Sequence, residues 1–443
     1  MQITPEHQKH AQDLLDFIDV SPSPWHAVAT LEKRLRTHGY TRLDEREPWR
    51  LAGGDRHYAI RGDSSLIAFQ VGEKATANSG FRIIGAHTDS PGLRLKPKAA
   101  FGSEQLTRLG VEVYGGPILA TFTDRDLSLA GRLHLRGKDG IESRLINFAQ
   151  VLTRLPNLAI HMNRKVNDEG LKLNKQTELP LILGQLQNEL PPSRQLLALL
   201  AEQADCTPDE ILSFELNVYD TQKGAFWGAA GEFLADSQID NLSSCHAGLW
   251  ALLNAESAAH TSVCAFFDHE EIGSESHKGA DGSFLSDILE RITQSRGEDR
   301  NEYQRGLAHS LMISADAAHA FHPNYPNAYE PCHAIRLNQG PAVKINCNQR
   351  YATDAFTEAW FAELCRQAGV PSQTYVHRSD LGCGSTIGPM SAARLGIMTI
   401  DCGVPMWAMH SARESAGVLD QLWLSRVLTS HLVNTTKLES PGK

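Results

Sequence analysis

The chain has 443 residues, of which 41% are hydrophobic, and this is enough apolar content to bury the cores of two or three domains. Lys and Arg number 42 against 52 Asp and Glu, so the formal net charge is −10 at pH 7. A chain with this charge is not suited to an extended phosphate backbone or an anionic membrane surface, so we expect neither a nucleic acid nor a membrane partner.

The N-terminus and the cysteines indicate a cytoplasmic protein. The opening residues, MQITPEHQKHAQDLLDFIDV, carry acids where a secretory signal would have an uninterrupted apolar segment. Apolar runs such as residues 196–201 are far too short to span a bilayer. The 8 cysteines form no CxxC pair, which is typical of reduced, mostly buried thiols rather than of a disulfide framework or a thiolate zinc site.

The N-terminal part is predicted to begin with two helices. Leu14 and Ile18 share one face of the first helix. Ser23 and Pro24 begin the second helix, which stops at Gly39. Three strands are predicted to follow, at residues 57–61, 66–71 and 82–86.

The C-terminal half alternates between helices and strands. Helices are predicted from about residue 241 and near 284–294, 354–368, 387–395 and 418–433, and strands at 262–267, 311–315, 373–377 and 397–401. This alternation predicts an α/β fold, a mostly parallel sheet flanked by helices.

Residues 93–233 have a different pattern, with short alternating runs such as VEVYGG and GRLHLRG separated by Gly, Asn and Asp. We expect this segment to form an inserted β-rich domain, with one helix near 194–204. The catalytic α/β domain would then be discontinuous, comprising residues 1–92 and 234–443. Arg94, Lys96 and Lys98 alternate in RLKPK and are predicted to lie on the solvent face of a strand.

Metal-capable side chains follow the ends of several predicted strands, namely His87, Asp89, Glu270, Glu271, Asp316 and, further from its strand, His410. Ligands bind at this edge of open α/β sheets, so segments distant in sequence could converge on one crevice there. Asp240 lies at the start of the helix that precedes the SVCAFF strand and could reach the same crevice.

The stretch DHEE at 268–271 places three acids and a histidine in consecutive positions. Carboxylates this close repel one another when buried unless a positive charge holds them. Imidazole and carboxylate ligands favour zinc, with manganese or cobalt as alternatives, and these donors suffice for two divalent ions bridged by one carboxylate. A strand-end turn points consecutive side chains in different directions, so Glu271 can be a ligand while Glu270 is the general base.

At this point the sequence resembles a known family, the aspartyl aminopeptidases, which are family 18 of the metallopeptidases within the co-catalytic dizinc exopeptidases. The matching motifs are GAHTDSPG (85–92), SQIDNLSS (237–244), DHEEIGS (268–274), SADAAHA (314–320), KINCNQRYATD (344–354), LGCGSTIGP (381–389) and MHSARE (409–414). They follow one another along the whole chain, and no ligand position departs from the family pattern.

The resemblance implies an enzyme that removes the N-terminal residue of peptides with metal-activated water. It implies that His87 and His410 bind different metals, that Asp240 bridges them, and that a further carboxylate completes each shell. The two further carboxylates would be Glu271 and Asp316. It also implies that Glu270 is the general base and that Asp89 orients His87.

The resemblance further implies substrate contacts from His161, His319, Lys344 and Tyr351, with His161 delivered by the inserted domain of a neighbouring subunit. The inserted domain would therefore serve oligomerisation, and members resembling this chain assemble as tetrahedral dodecamers. Lys344 is the cation in this set, and it could pair with an acidic first side chain, either Asp or Glu.

Simpler structural roles exist for several of these residues. Asp240 could be the N-cap of the helix that begins at Asn241, and Asp316 could cap a turn. His410 alone could be a core histidine, and without the resemblance Lys344 and Tyr351, like His161, would be assigned to the surface.

Two other functions remain open from the residues. One is another hydrolase on a dimetal scaffold, such as a carboxypeptidase or a deacylase, and the other is a non-catalytic peptide-binding protein that kept the fold. A complete ligand set together with Glu270 favours an enzyme, because a binding module has no use for a general base. The chain has no G-x-S-x-G motif, which weighs against a serine hydrolase.

Overall fold

A nine-stranded mixed sheet forms the centre of the molecule, and the computed structural model describes residues 2–186, 190–256 and 258–435. Met1 and the tail from residue 436, which the predicted catalytic domain includes, lie outside these ranges. The strands in chain order are β1 Thr41–Arg42, β2 Arg56–Arg61, β3 Ser65–Gln70, β4 Phe81–His87, β5 Gly92–Ser103, β6 Leu106–Tyr114, β7 Leu127–Arg136, β8 Ile141–Asn147, β9 Leu181–Gln185, β10 Ile211–Asp220, β11 Ala225–Trp227, β12 Phe233–Asp236, β13 Thr261–Phe267, β14 Leu311–Ala315, β15 Ala318–His319, β16 Ala342–Ile345, β17 Gln373–Val376, β18 Met398–Gly403, β19 Pro405–Trp407 and β20 Glu414–Gly417.

The first two helices begin at residues that cap them. The Thr4 side chain accepts from the His7 backbone N–H, and Ser23 caps the second helix in the same way. The helices are α1 Pro5–Asp19, α2 Pro24–Thr37, α3 Thr76–Ser79, α4 Val166–Glu169, α5 Pro192–Ala204, α6 Ile239–Asn254, α7 Phe284–Ser295, α8 Arg300–Ala308, α9 Ala355–Ala368, α10 Ile387–Leu395 and α11 Val418–Val433. The predicted helices are all present, and α3, α4 and α8 are additional ones.

The nine-stranded sheet has the order β1-β2-β3-β13-β4-β14-β18-β16-β17. Strands β13, β4, β14 and β18 are parallel neighbours in its middle, whereas β3 runs antiparallel to β13 and β16 runs antiparallel to β18. Every residue of β13 and β4 is buried. The sheet confirms the predicted α/β fold class, and its four central carboxyl ends meet at one edge.

Both faces of this sheet are covered by helices because its central strands are apolar on both sides. Ile84 and Phe266 belong to the core that includes α1, α6 and α11, whereas Ile83 and Val263 belong to the core that includes α7. Full burial of each such side chain contributes about 1.5–3 kcal/mol. The two cores therefore hold the sheet, and with it the carboxyl edge, in a rigid position.

A six-stranded antiparallel sheet forms a second layer, with the order β8-β7-β10-β5-β6-β9. All its strands lie between Gly92 and Asp220, and it encloses an apolar core of its own with α5. A third sheet, β11-β12-β20-β19-β15, was not predicted; its strands have only two to four residues, too few for a recognisable alternation. In the described part of the chain, no helix has the length and apolar character needed to cross a membrane.

Candidate metal centre

The predicted donors meet at the carboxyl edge of the nine-stranded sheet. His87 is the last residue of β4, Asp316 directly follows β14, and Glu270 and Glu271 form a 3-10 turn after β13. Because β13, β4 and β14 are adjacent and parallel, their ends bring these side chains together although the chain separates them widely. The remaining two donors, Asp240 and His410, come from the first turn of α6 and the loop between β19 and β20.

One group of donors surrounds His87. Its Nε2 lies 3.5 Å from Oδ1 of Asp240 and 3.8 Å from Oε2 of Glu270. Donor atoms of His87, Glu270 and Asp316 all lie within 4.8 Å of one another. This spacing is suitable for a single divalent ion at the group.

A second group surrounds His410. Its Nε2 lies 3.3 Å from Oδ2 of Asp240 and 3.5 Å from Oε2 of Glu271. Asp240 therefore presents one carboxylate oxygen to each histidine. Asp240 has a non-helical conformation within α6, with φ −81° and ψ 108°, and its Oδ1 has no hydrogen-bond partner among the described residues, which favours the metal-donor role over the N-cap alternative.

The residues fit a pair of divalent ions. Oδ1 of Asp240 and Oε1 of Glu271 are buried and have no hydrogen-bond partner among the described residues. A buried carboxylate oxygen without a donor is costly unless a cation satisfies it. Two imidazoles with hard carboxylate oxygens are donors that zinc accepts.

The electrostatics of the metal-free cluster show why it needs positive charge. Burial, reinforced by the neighbouring acids, raises the pKa of Glu270 to about 8 and places the pKa of Glu271 well above its ordinary value. Burial also acts to raise the pKa of Asp240, but the imidazoles of His410 and His87 outweigh it and lower that pKa. Divalent ions in the cluster would remove the repulsion and keep the acids ionised.

Asp89 is fully buried and connects His87 to the turn that carries the two glutamates. Its Oδ1 lies 3.4 Å from Nδ1 of His87, and it accepts the backbone N–H groups of Glu270 and Glu271, both at 3.2 Å. The hydroxyl of Tyr114 donates to Oδ2 at 2.7 Å. Nδ1 of His87 itself makes a hydrogen bond to the backbone carbonyl of Asp89 at 3.0 Å. Asp89 therefore contacts His87 and holds the 270–271 turn, and its role in orienting His87 stays a prediction.

Glu414 is a buried residue of the centre that the sequence analysis missed. Its carboxylate accepts the backbone N–H of Asp240 at 2.9 Å and that of His410 at 2.6 Å. Burial and the nearby Asp240 raise the pKa of Glu414 to about 8. It was visible only as the last letter of the MHSARE motif, and a single acid there has no recognisable chemistry.

A cleft of about 400 Å³ opens beside the donors. Three predicted substrate contacts, His319, Lys344 and Tyr351, line it. Lys344 is almost fully buried, and its Nζ lies 3.7 Å from Asp316, 3.2 Å from the Ala317 carbonyl and 5.0 Å from the Tyr351 ring centre. These three residues are thus brought together, and the surface assignment for Lys344 and Tyr351 is wrong.

Two further residues differ in where they lie: the predicted contact His161 is outside the cleft, and Arg350, which was not predicted, lines it. His161 is exposed, does not line the cleft of its own subunit, and is flanked by the exposed side chains of Ile160 and Met162. Arg350 lines the cleft and was missed, because a single arginine within a motif carries no signal of its position.

The predicted solvent exposure of Arg94 is wrong, because Arg94 stacks on Tyr114 with its guanidinium carbon 3.6 Å from the ring centre, and two of its nitrogens are buried.

An α/β sheet that gathers two histidines and several carboxylates at its carboxyl edge, beside a cleft, defines the class of metal-dependent hydrolases. Residues 17–430 match the family model described as aminopeptidase I zinc metalloprotease (M18). The chain belongs to the M18 family, and it is a metallo-aminopeptidase, a hydrolase of the zinc metalloprotease type.

Relatives of known sequence and structure agree with this assignment. The chain is 49% identical over 419 residues to a protein of Pseudomonas paraeruginosa named probable M18 family aminopeptidase 2, covering 94% of this chain and 96% of that protein. The fold of this protein matches a chain in the cryo-EM structure of the Ape4 and Nbr1 complex with a TM-score of 0.93 and 36% identity, over 98% of this chain and 87% of that chain. It matches mApe1 of Chaetomium thermophilum with a TM-score of 0.88 and 30% identity, over 96% of this chain and 98% of that chain.

Proposed function

We propose that this aminopeptidase removes an acidic N-terminal residue, Asp or Glu, from peptides, using two divalent ions per subunit. The observation that carries the specificity is the charge of the cleft. Apart from the metal-ion donors and Glu270, the charged residues that line it, among those described, are Lys344 and Arg350. These two cations favour a carboxylate side chain on the substrate.

The donors divide into two sets that share one residue. His87, Asp316 and one oxygen of Asp240 would hold the first ion, and His410, Glu271 and the other oxygen of Asp240 would hold the second. Zinc suits these donors best, with manganese or cobalt as alternatives. Bound ions supply Lewis-acid chemistry, lowering the pKa of water and polarising a carbonyl.

Glu270 acts as the general base in this proposal. Its Oε2 faces the cleft beside His87, where it can take the proton of the attacking water and return it to the leaving amine. Its neighbour Glu271 points toward His410 instead. The 3-10 turn therefore separates the two consecutive acids into a base and a ligand.

Lys344 and Arg350 differ in their availability to a substrate. Lys344 already lies beside Asp316 and donates to the Ala317 carbonyl, whereas Arg350 is exposed and uses its Nε on the Cys383 carbonyl. This hydrogen bond is the side-chain contact that the described residues show for Arg350. We therefore assign Arg350, together with Lys344, to the substrate's acidic side chain, and His319 and Tyr351 to the walls of the same subsite.

The quaternary arrangement is also part of the proposal. A solved neighbour at 27% identity and TM-score 0.84, covering 96% of this chain and 97% of that chain, is the mApe1 dodecamer of S. cerevisiae. We propose a homo-oligomer, a dodecamer by this likeness, assembled through an inserted domain of residues 93–233. The exposed His161 would then reach the cleft of a neighbouring subunit. The eight cysteines, all in the described part of the chain, are free thiols, which supports a cytoplasmic location.

The test is a panel of aminoacyl reporter substrates with Asp, Glu, Leu and Lys as first residue, assayed with the wild type, Arg350→Gln and Arg336→Gln. Arg336 is an exposed arginine that does not line the cleft and serves as the matched control. We expect Asp and Glu substrates to be preferred, and Arg350→Gln to lose about tenfold in kcat/KM for them alone, the worth of one charge-assisted hydrogen bond. Preference for Leu or Lys substrates in the wild type would overturn the acidic specificity.

A further inference from the structure

The segment that begins at the last residue of β6, in the six-stranded sheet, runs directly past the metal centre. It comprises residues 114–118, YGGPI in the sequence, and is called the 114–118 segment below. Three of its five residues make hydrogen bonds at the centre. Tyr114 bonds to Asp89 beside His87, and Gly116 and Ile118 bond to His410 itself. Because β6 is anchored in a sheet with its own apolar core, the segment has a rigid base.

Tyr114 acts on the His87 side of the centre. Its side chain is 8% exposed, and its hydroxyl donates at 2.7 Å to the carboxylate of Asp89, which in turn faces His87 and accepts the N–H groups of the 270–271 turn. Burial and the charge of Asp89 raise the pKa of Tyr114, so the hydroxyl keeps its proton and acts as a donor. Arg94 covers the ring face and fixes its orientation.

Gly116 and Ile118 act on the His410 side. The carbonyl of Gly116 accepts from Nδ1 of His410 at 3.1 Å, which assigns the imidazole proton to Nδ1 and leaves Nε2 free toward Asp240 and Glu271. The backbone N–H of Ile118 donates to the His410 carbonyl at 2.8 Å. His410 has a φ of +68°, a left-handed conformation that needs such external support.

Gly115 allows the segment to approach this closely. Its φ is +66°, and a Cβ at this position would lie 3.2 Å from both the Cβ and the carbonyl oxygen of Glu271. Any other residue would be strained here and would push the segment away from the turn that carries the two glutamates.

We infer that the 114–118 segment is a positioning element through which the six-stranded sheet orients both metal-ligand histidines, with Tyr114 as its principal side chain. The inference rests on the proposed function for the assignment of His87 and His410 as ligands. It gives the six-stranded sheet a role in the chemistry of its own subunit, separate from any role in assembly. Tyr114 touches neither substrate nor ion and acts through Asp89.

The first experiment compares Tyr114→Phe with Tyr219→Phe. Tyr219 is the matched control, since it lies in the same sheet and its hydroxyl donates to Asn147 rather than to the centre. Metal-free proteins are titrated with zinc against a chromophoric chelator, and kcat and KM are measured after saturation with the metal. We expect Tyr114→Phe to bind zinc about 10–100-fold more weakly and to lower kcat with little change in KM, while Tyr219→Phe matches the wild type.

The second experiment addresses His410 with Ile118→Pro. Ile118 has a φ of −76°, which suits proline, and its side chain is 45% exposed, so the change removes chiefly the N–H that donates to His410. We expect weaker binding of one of the two ions, with the other unchanged. Thermal melting of metal-free Tyr114→Phe and Ile118→Pro shows whether each variant folds. If one of them does not fold, the zinc affinity of the other decides the outcome.

Wild-type zinc affinity in the folded variants would overturn the inference. This result is distinguishable from failure of the proposed function, because the titration uses zinc alone and no peptide. If the wild type prefers non-acidic substrates but Tyr114→Phe still weakens zinc binding, the specificity proposal falls and the positioning role stands. Equal loss in Tyr219→Phe would also overturn the inference, since it would show a general effect of loosening the sheet.

Discussion

The carboxylate of Glu414 accepts hydrogen bonds from the backbone N–H groups of both Asp240 and His410, at 2.9 and 2.6 Å. One buried side chain therefore holds the residue shared between the two donor groups and the histidine of the second group. Each oxygen of the carboxylate serves one N–H, so the two positions are fixed relative to each other.

Replacing Glu414 with Gln is expected to weaken metal binding about 10–100-fold, as loss of an outer hydrogen-bond partner does in metalloenzymes. The amide keeps one acceptor oxygen, but its NH₂ group must face the other backbone N–H, and one of the two peptides is displaced. Zinc titration of the metal-free protein measures the change. The exposed Glu202 on α5 provides the control, Glu202→Gln, and equal affinities in the two variants would contradict the prediction.

Replacing Glu270 with Gln should lower kcat by about 10²–10⁴ while both ions remain bound, because the amide cannot accept the proton of the attacking water. Metal content by elemental analysis and kcat by reporter hydrolysis test this together. Glu275, exposed and five positions further along, gives the control Glu275→Gln. Loss of one ion from Glu270→Gln would show instead that Glu270 is a metal ligand. This is a real alternative because a carboxylate oxygen of Glu270 lies within 4.8 Å of the donor atoms of His87 and Asp316.

Buried neutral histidines should make the fold sensitive to acid. Burial, with the nearby Arg82, lowers the pKa of His260 to about 4, and its Nε2 lies 2.6 Å from the Leu432 carbonyl. The unfolded chain therefore takes up a proton below about pH 6.5 while the folded chain does not, so stability present above that pH is lost as the pH falls toward 4.

The size of this effect can be measured with His260→Gln, whose amide can still donate to the carbonyl. Between pH 7.5 and 5.0 the wild type should lose about 2 kcal/mol more unfolding free energy than the variant, from the two pKa values. Urea unfolding of the metal-free proteins at both pH values gives the difference. Identical slopes for wild type and His260→Gln would refute the prediction.

Lys278 should be a large contributor to stability because it neutralises a fully buried acid. Its Nζ lies 2.7 Å from Asp268, which is two residues before Glu270 of the 270–271 turn, and 2.6 Å from the Ser64 hydroxyl. Lys278→Met leaves the Asp268 charge without its cation and is expected to cost about 3–5 kcal/mol. Adding Asp268→Asn should recover part of this loss, because the unpaired charge is then gone. If Lys278→Met alone is as stable as the wild type in urea unfolding, the prediction is contradicted.

The order of helices and strands in the C-terminal half could be read from the sequence because each element carries its own periodicity. The predicted strand at 311–315 and helix at 418–433 agree with the structure to the residue. Helix α8 was missed because its sequence, RNEYQRGLA, has few apolar residues, and only three residues of the helix are buried. The third sheet was missed because its strands are too short to alternate.

The sequence by itself determined the α/β fold class and which donors lie at strand ends, because apolar periodicity and strand boundaries are local properties of the chain. It also indicated Glu270 and Glu271 as a pair with different roles, through the crowding of acids at 268–271. Only the tertiary structure decided that Asp240 lies between His87 and His410, and that Tyr114 and Glu414 support them. Those contacts join residues as much as 174 positions apart, and a hydrogen bond formed across such a distance leaves no periodicity in the sequence around either partner.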